Sequence, residues 1–389
     1  ETVLEVQRLL EGNWQERTLE ELRQGLAHVD RRIRFESQWE LARRGEVDTL
    51  LDVATSSDAG RLSRLHGLWG ADQIARLDLR QSEPVLESVR SLLSDDEATI
   101  RAAAAKVAGE RGDRSAIPRL RELVQDDSSR VRYFAVLSLG KLKDGESFSS
   151  VVSLLAKADN SDPAIRHAGI MALAAAQDPL RIASLKSHAS ESVRRAAVVA
   201  LRRHGSGELS RFLHDESPLV VQEAARAIYD EPVPVAMGAL AELADEPGGD
   251  LEVVRRALNA NFRLGSAETA ARLAAFAARA TARPELRIEA LQILASWADP
   301  DPRDRILNRY RPIDGRPPQE AASALAPQIE SLIAGEPSVR EEAIRVASML
   351  GIKQITPLLA ARVKNEKLVE ETRASSLVAL SRLDPNQAV

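Results

Sequence analysis

The sequence predicts an all-α fold, a right-handed α-solenoid of about eleven helical hairpins stacked in a row. Two observations predict it. The first is a recurring phrase, clearest in residues 126–144, DDSSRVRYFAVLSLGKLKD: an acidic turn, a Val-Arg pair, then Val131, Ala135, Ser138, Leu139 and Leu142 at helical spacing. It returns as DEATIRAAAAKVAGERGD, DPAIRHAGIMALAAAQD, SESVRRAAVVALRRHG, LEVVRRALNANFRLG, PELRIEALQILASWADP, PSVREEAIRVASMLG and EETRASSLVALSRLD. Its arginines are Arg34, Arg101, Arg132, Arg166, Arg194, Arg255, Arg287, Arg340 and Arg373, mostly about thirty residues apart, a period typical of paired-helix repeats. The second is composition. With 44% hydrophobic but only 3% aromatic residues, the chain suits thin layers of Ala, Leu and Val shared between neighbours, and strand signals are nearly absent.

Residues 1–27 read as two short helices, built on Leu4, Leu9 and Leu10 and then on Leu19, Leu22 and Leu26. Residues 28–45, HVDRRIRFESQWELARRG, supply the partner of the second, with Ile33, Ser37 and Leu41 on one face and Trp39 on an adjoining one. The next hairpin departs from the phrase: RLSRLHGLWGADQIARL keeps a helix's periodicity but has no acidic turn before a Val-Arg pair. Four regular hairpins follow from Pro84 to Gly205, with connectors such as ERGDRSAIP, whose Pro118 suits a first helical turn. In the seventh, DESPLVVQEAARAIYDEP, Gln222 is expected in the arginine's place, and Pro232 and Pro234 mark an irregular link. Residues 235–298 give two more hairpins, in which the connector EPGGD at 246–250 is a clear break.

The interruption is residues 299–318, DPDPRDRILNRYRPIDGRPP, whose prolines at 300, 302, 312, 317 and 318 exclude packed helix. A flexible linker is usually rich in Gly, Ser and charge, whereas Ile306, Leu307, Tyr310 and Ile313 need cover, so an ordered loop against the array is expected. Arg305, Arg309 and Arg311 would anchor it to acidic turns or present a basic patch. Two last hairpins close the array. The expected organisation is a repeat array over 1–298, the proline-rich loop over 299–318, and further repeats of the same solenoid over 319–389.

Several function classes recede on composition. A formal charge of −5 and a pI near 5.9 give no global attraction to phosphate backbones or anionic membranes, which makes nucleic acid an unfavoured partner. The chain has no cysteine, so disulfides, thiolate metal sites, a cysteine nucleophile and covalent haem attachment are excluded within it. The six histidines, His28, His66, His167, His188, His204 and His214, form no helical zinc pattern. Asp299, Asp301 and Asp304 resemble a calcium loop only briefly, because prolines intervene and Tyr310 stands where the bidentate glutamate belongs. No nucleophile elbow or phosphate-binding glycine loop is present, and no metal or cofactor site is expected. No stretch matches the roughly eighteen to twenty apolar residues of a membrane span, and the charged N-terminal residues are not a signal peptide. A chain opening on Glu rather than Met is expected to be a piece of a longer protein.

The acidic turn followed by a Val-Arg pair resembles the second helix of HEAT repeats. That resemblance implies that the arginine series is a structural ladder to the acidic turns or helix-end carbonyls of neighbouring repeats, and that second helices line a concave face. Trp39, Trp69 and Trp297 are then placed on second helices, as core or as partner contacts. Two further stretches, AHVDRRIRFESQWELARRG followed by RLHGLWGADQIAR, and the proline-rich loop, resemble the HEAT region of large modular haem-binding, cytochrome c-containing membrane-bound dehydrogenase-like proteins of planctomycetes. In that family the array lies between a β-propeller and a cytochrome c domain. The resemblance implies an exported or periplasmic setting and a non-catalytic spacer and docking scaffold, with any redox chemistry in flanking domains. The expected partners are a protein or those flanking domains, and the candidate contact residues are Trp39, His66, Trp69, Arg305, Arg309, Tyr310 and Arg311. The alternative is nucleic-acid binding on an arginine-lined concave face, as in HEAT-like DNA glycosylases.

Overall fold

A computed structural model describes residues 2–246 and 248–387. They form helical hairpins in succession, and among the described residues there is no strand, only an isolated antiparallel bridge between Arg303 and Tyr310. The chain divides into two compact units, Glu1–Ala200 and Leu201–Val389.

In the first unit an entry helix, Thr2–Glu11, precedes the hairpins Leu19–Gly25 with Arg31–Arg44, Val47–Thr55 with Arg61–Leu77, and Ser82–Leu92 with Ala98–Arg111. Ile117–Leu123 with Ser129–Lys141, Phe148–Ala158 with Pro163–Ala176, and Pro179–Ala183 with Glu191–Arg203 continue it. In the second unit the 3-10 helix Gly207–Phe212 pairs with Pro218–Tyr229, so the degraded seventh phrase still yields a hairpin with a shortened first arm. Then come Pro234–Glu242 with Leu251–Leu264, and Ala267–Ala278 with Pro284–Ala295. Pro318–Leu325 and Ile329–Ala334 together face Pro337–Met349, and Thr356–Lys364 faces Glu370–Leu383. The core is the expected thin layer. Ala104, Ala105, Ala108, Ala135, Val136 and Leu139 are wholly buried, and Ser138 satisfies its hydroxyl on the Ala105 carbonyl of the preceding second helix at 2.7 Å.

One seven-residue device joins the two helices of many hairpins. The side chain at its first position accepts the amide of the third: Asp95 from Glu97, Asp126 from Ser128, Asp215 from Ser217, each at 2.9 Å. His28 and His188 do the same through Nδ1, accepting from Asp30 and Ser190. At the seventh position an arginine Nη1 donates back to the carbonyls of the first two residues. Arg34 does so to His28 and Val29, Arg101 to Asp95 and Asp96, Arg132 to Asp126 and Asp127, and Arg194 to His188 and Ala189, all within 2.6–3.1 Å. Where the turn is longer, the arginine reaches the last carbonyls of the first helix instead: Arg64 to Ala54, Arg287 to Ala277 and Arg373 to Val363.

The recurrent partner of the series is thus its own hairpin's turn, because helical geometry swings the seventh residue beneath the first two. Contact with the next hairpin adds to this at particular steps. Arg101 also forks onto Asp126 at 2.9 and 3.0 Å, and Arg64 forks onto Asp95. Hydrogen bonding to Asp126 raises the Arg101 pKa; at Asp126, burial pushes upward, but the hydrogen bonds from Arg101 and the Ser128 amide and the charges of Arg101 and Arg132 together outweigh it, so the carboxyl is lowered.

Several sequence placements shift. Arg64 is the arginine of the second hairpin, hidden from the phrase by its longer turn. In the seventh hairpin the arginine position is Val221, six residues after Asp215, rather than Gln222. In helix Leu251–Leu264 the buried arginine is Arg256, paired with Asp230 and Glu252, while Arg255 bonds Glu289 at 2.9 Å. Arg340 reaches the Gly335 carbonyl. Arg166 makes neither contact, behind a turn in which Asp159 and Asn160 adopt left-handed φ of 41° and 59°. Trp297 lies just past helix Pro284–Ala295 and is fully buried.

The proline-rich loop is folded around Asp304, whose carboxylate is inaccessible to solvent. One oxygen accepts the amides of Ile306 and Leu307 at 2.9 Å. The other accepts the Tyr229 hydroxyl at 2.8 Å, Arg311 Nη1 at 3.2 Å and Arg263 Nη1 at 3.4 Å. Burial first, and then the Asp304 charge, drives the Tyr229 pKa upward, so the phenol stays a donor. Arg311 also donates to the Tyr229 carbonyl and lies over its ring, while Arg316 stacks on Trp297 at 4.7 Å. Trp297 Nε1 in turn donates to Glu320 at 3.0 Å.

Removing that carboxylate strands two arginines and a phenol in the interior. Asp304→Ala should therefore lose about 3–5 kcal/mol in urea denaturation, and Tyr229→Phe, which removes one neutral donor, about 1 kcal/mol. A loss near zero for Asp304→Ala would mean that the loop is held by something else.

Candidate partner-binding surface

Helix Arg31–Arg44 starts at Asp30, whose side chain accepts the Arg32 amide at 2.8 Å, and stops at Gly45, where φ is 78°. Phe35 and Trp39 stand four residues apart on it, and their rings stack with centroids 5.6 Å apart. From the next second helix, Arg61–Leu77, His66 meets Phe35 edge-on at 5.1 Å and Trp69 edge-on at 5.3 Å. The RLHGLWG segment owes its glycines to packing. A Cβ on Gly67 would fall 2.6 Å from the Leu50 carbonyl oxygen and 2.9 Å from the Ala54 nitrogen, so only glycine lets this helix lie so close to Val47–Thr55.

His66 is the hub, and its chemistry is fixed by its neighbours. Arg34 Nε donates to Nε2 at 3.2 Å, which places the ring proton on Nδ1, 2.7 Å from the Gln38 side-chain oxygen. The ring is only 3% exposed. Burial, and secondarily the Arg34 charge, pushes its pKa down to about 4, so it is neutral at pH 7. Both nitrogens are committed internally, which leaves His66 without a free lone pair for general-base work. Its role is to hold Phe35 and Trp69. Beside it Glu40 is buried with Arg43 and Arg44 on its carboxylate, and the hydrogen bond from Arg43 keeps that carboxyl below its usual range.

The outer surface of this cluster is apolar. Trp39 is 50% exposed and Trp69 39%, and Leu62, one turn before His66, is also exposed. Half-exposed tryptophans on a fixed base present flat area at little entropic cost, the property of an interface anchor. The structure brings Trp39, His66 and Trp69 together within the first unit, and adds Phe35 and Gln38. Phe35 was not singled out in the sequence, although its four-residue offset from Trp39 could have pointed to it; nothing in the sequence singles out Gln38. Of the loop residues in the second unit, Arg311 is committed to Asp304 and Tyr229, and Arg305 to Gln292 at 3.2 Å. Arg309 and Tyr310 project outward, Tyr310 at 75% exposure.

The profile of the family described as HEAT repeats matches residues 86–174. The same turn-and-arginine device occurs before and after that stretch, and the fold class is an α-solenoid of HEAT-like helical hairpins. Among solved structures it is similar to Kap121p in a complex with RanGTP: 12% identity, TM-score 0.50, covering 94% of this chain and 45% of that one. It is also similar to YibA of Escherichia coli, with 14% identity, 72% and 93% coverage and a TM-score of 0.38. An engineered protein gives 18% identity, 96% and 99% coverage and a TM-score of 0.35. Identities this low speak to fold alone. No curated protein is found as a relative by sequence.

The His66 environment predicts an acid-sensitive step. Its pKa falls from an ordinary 6.5 to about 4 on folding. The neutral ring's contribution is therefore complete above 6.5 and is lost as pH drops towards 4, where the unfolded chain takes a proton that the folded chain refuses. The loss should be on the order of 2 kcal/mol at pH 5 relative to pH 7, read as the difference between wild type and His66→Gln in urea titrations. Parallel pH profiles of the two proteins would refute this assignment.

Proposed function

We propose that the protein is a non-catalytic scaffold that docks a protein segment on the aromatic surface of its first unit. The observation that carries this reading is the pair Trp39 and Trp69, both partly exposed on one buried His66–Phe35 base. Repeat arrays lend themselves to such work, because each hairpin contributes a helix to one extended face. The ladder arginines favour a protein partner over nucleic acid. Arg34, Arg64, Arg194 and Arg287 are buried, and those charges serve carbonyls rather than a phosphate backbone.

The finer reading places the array in the middle of a larger exported redox protein, where flanking propeller and cytochrome domains dock on it. Support for it is the resemblance of residues 27–45, of RLHGLWGADQIAR and of the 299–318 loop to planctomycete dehydrogenase-like proteins. Loop residues Arg309 and Tyr310 would then be a second contact. The complete reading frame of the gene tests this: flanking propeller and haem-motif segments support it, and their absence removes it.

The docking reading is tested with Trp39→Ala and Trp69→Ala, alone and combined, in affinity purification with quantified partners. Each tryptophan in an anchor role should cost about 2 kcal/mol of binding, so the double variant should lose its main partner while its circular dichroism stays helical. An unchanged partner profile from the double variant would overturn the proposal.

A further inference from the structure

Trp39 and Trp69 belong to a longer row. Each stands five residues after the ladder arginine of its own helix, Arg34 and Arg64, and the same step from Arg101, Arg132 and Arg166 leads to Lys106, Leu137 and Met171. These five second helices of the first unit lie side by side: Phe35 meets His66 at 5.1 Å, Arg76 donates to Glu110 at 2.9 Å, and the Ser138 hydroxyl donates to the Ala105 carbonyl at 2.7 Å. A Cβ on Gly140 would fall 2.8 Å from Ala172 Cα. None of the five row residues is buried. With roughly 8–10 Å between packed helices the row spans about 40 Å, a length that about twelve residues of extended chain cover.

The row is apolar at both ends and charged at its middle step. Arg76, Lys106 and Lys141 converge on Glu110, at 2.9, 3.8 and 3.7 Å, and Arg76 and Arg111 share Asp72, at 2.8 and 3.7 Å. Four cations thus meet two carboxylates, in a chain whose overall charge is negative. Asp72 is buried, while about half of each of the Arg76, Lys106 and Lys141 side chains faces solvent.

We propose that this row is the track of an extended segment of a protein partner, with apolar side chains towards its two ends and acidic ones between them. The inference rests on the reading of Trp39 and Trp69 as a docking surface and gives that surface its partner's chemistry. The tryptophans offer flat anchoring area at one end, and Leu137 and Met171 continue the apolar contact at the other. Between them the surplus of cations selects carboxylates and repels a basic segment of equal shape. Single-stranded nucleic acid would also meet aromatic rings and lysines, but its backbone asks for cations along the whole track, and here they are confined to one step.

The probe is a phage-displayed library of random sixteen-residue peptides selected on the full chain, with enriched sequences synthesised with a fluorescein label and titrated by anisotropy. The enriched peptides should carry Asp or Glu between apolar residues, and their affinity should fall as salt rises. Combining Lys106→Glu with Lys141→Glu should weaken them at least about tenfold, and the milder pair Lys106→Gln with Lys141→Gln, which covers a folding failure of the first, about threefold. Trp39→Ala combined with Trp69→Ala should abolish binding. No enrichment, a basic or uncharged consensus, undiminished affinity in the folded lysine variants, or tighter binding of a labelled sixteen-nucleotide oligo-dT would overturn the proposal. Loss of the peptides in the tryptophan variant with no effect of the lysine variants overturns this inference alone, whereas indifference to the tryptophans removes the docking surface beneath it as well.

Discussion

The structure depends on how the turn inside each hairpin disposes of its carbonyl groups. Carbonyls at a helix end have no intrahelical donor, and leaving them without partners next to a packed neighbour would cost more than the thin Ala and Leu layers return. The arginine beneath the turn meets that demand with one guanidinium, and its aliphatic stem packs among the helices. At Arg64 and Arg101 the same group also reaches the next hairpin's aspartate, so a solution to a local problem becomes a bond between repeats.

Much of this was legible in the sequence, for a physical reason. A repeat that must bury the same face each time writes the same spacing each time, so hairpin number, helix order and part of the arginine series could be read from the phrase. Turn length was not readable in the same way. Arg64 sits behind a longer turn and reaches the Ala54 carbonyl, so a search for an acidic turn beside a Val-Arg pair passes over it. Asp304 was hidden for a different reason: the Ile306 and Leu307 amides that bond its carboxylate are local, but Tyr229 and Arg263 converge on it from distant parts of the sequence. No local pattern encodes that convergence.

The aromatic surface shows the same division. Trp39, His66 and Trp69 stand out by rarity in a chain with few aromatics, and their neighbouring second helices bring them together. What the sequence does not contain is the tautomer of His66, set by Arg34 and Gln38 across the helix pair, or the burial that depresses its pKa. The residue most easily taken for a catalytic base is thus a support for two tryptophans. Fold and surface together describe a protein that presents rigid side chains in fixed places, and fold alone does not assign what they meet.

Arg34, Arg101, Arg132 and Arg194 each serve their own turn, and among them Arg101 also ties that turn to the next. Amide hydrogen exchange on Arg101→Ala and Arg132→Ala measures this directly. In Arg101→Ala, protection should fall at two turns, 95–97 and 126–128, because Arg101 contacts both. In Arg132→Ala it should fall at 126–128 alone, since its contacts are to Asp126 and Asp127. Equal, two-turn losses in both variants, or unchanged protection in Arg101→Ala, would contradict the account.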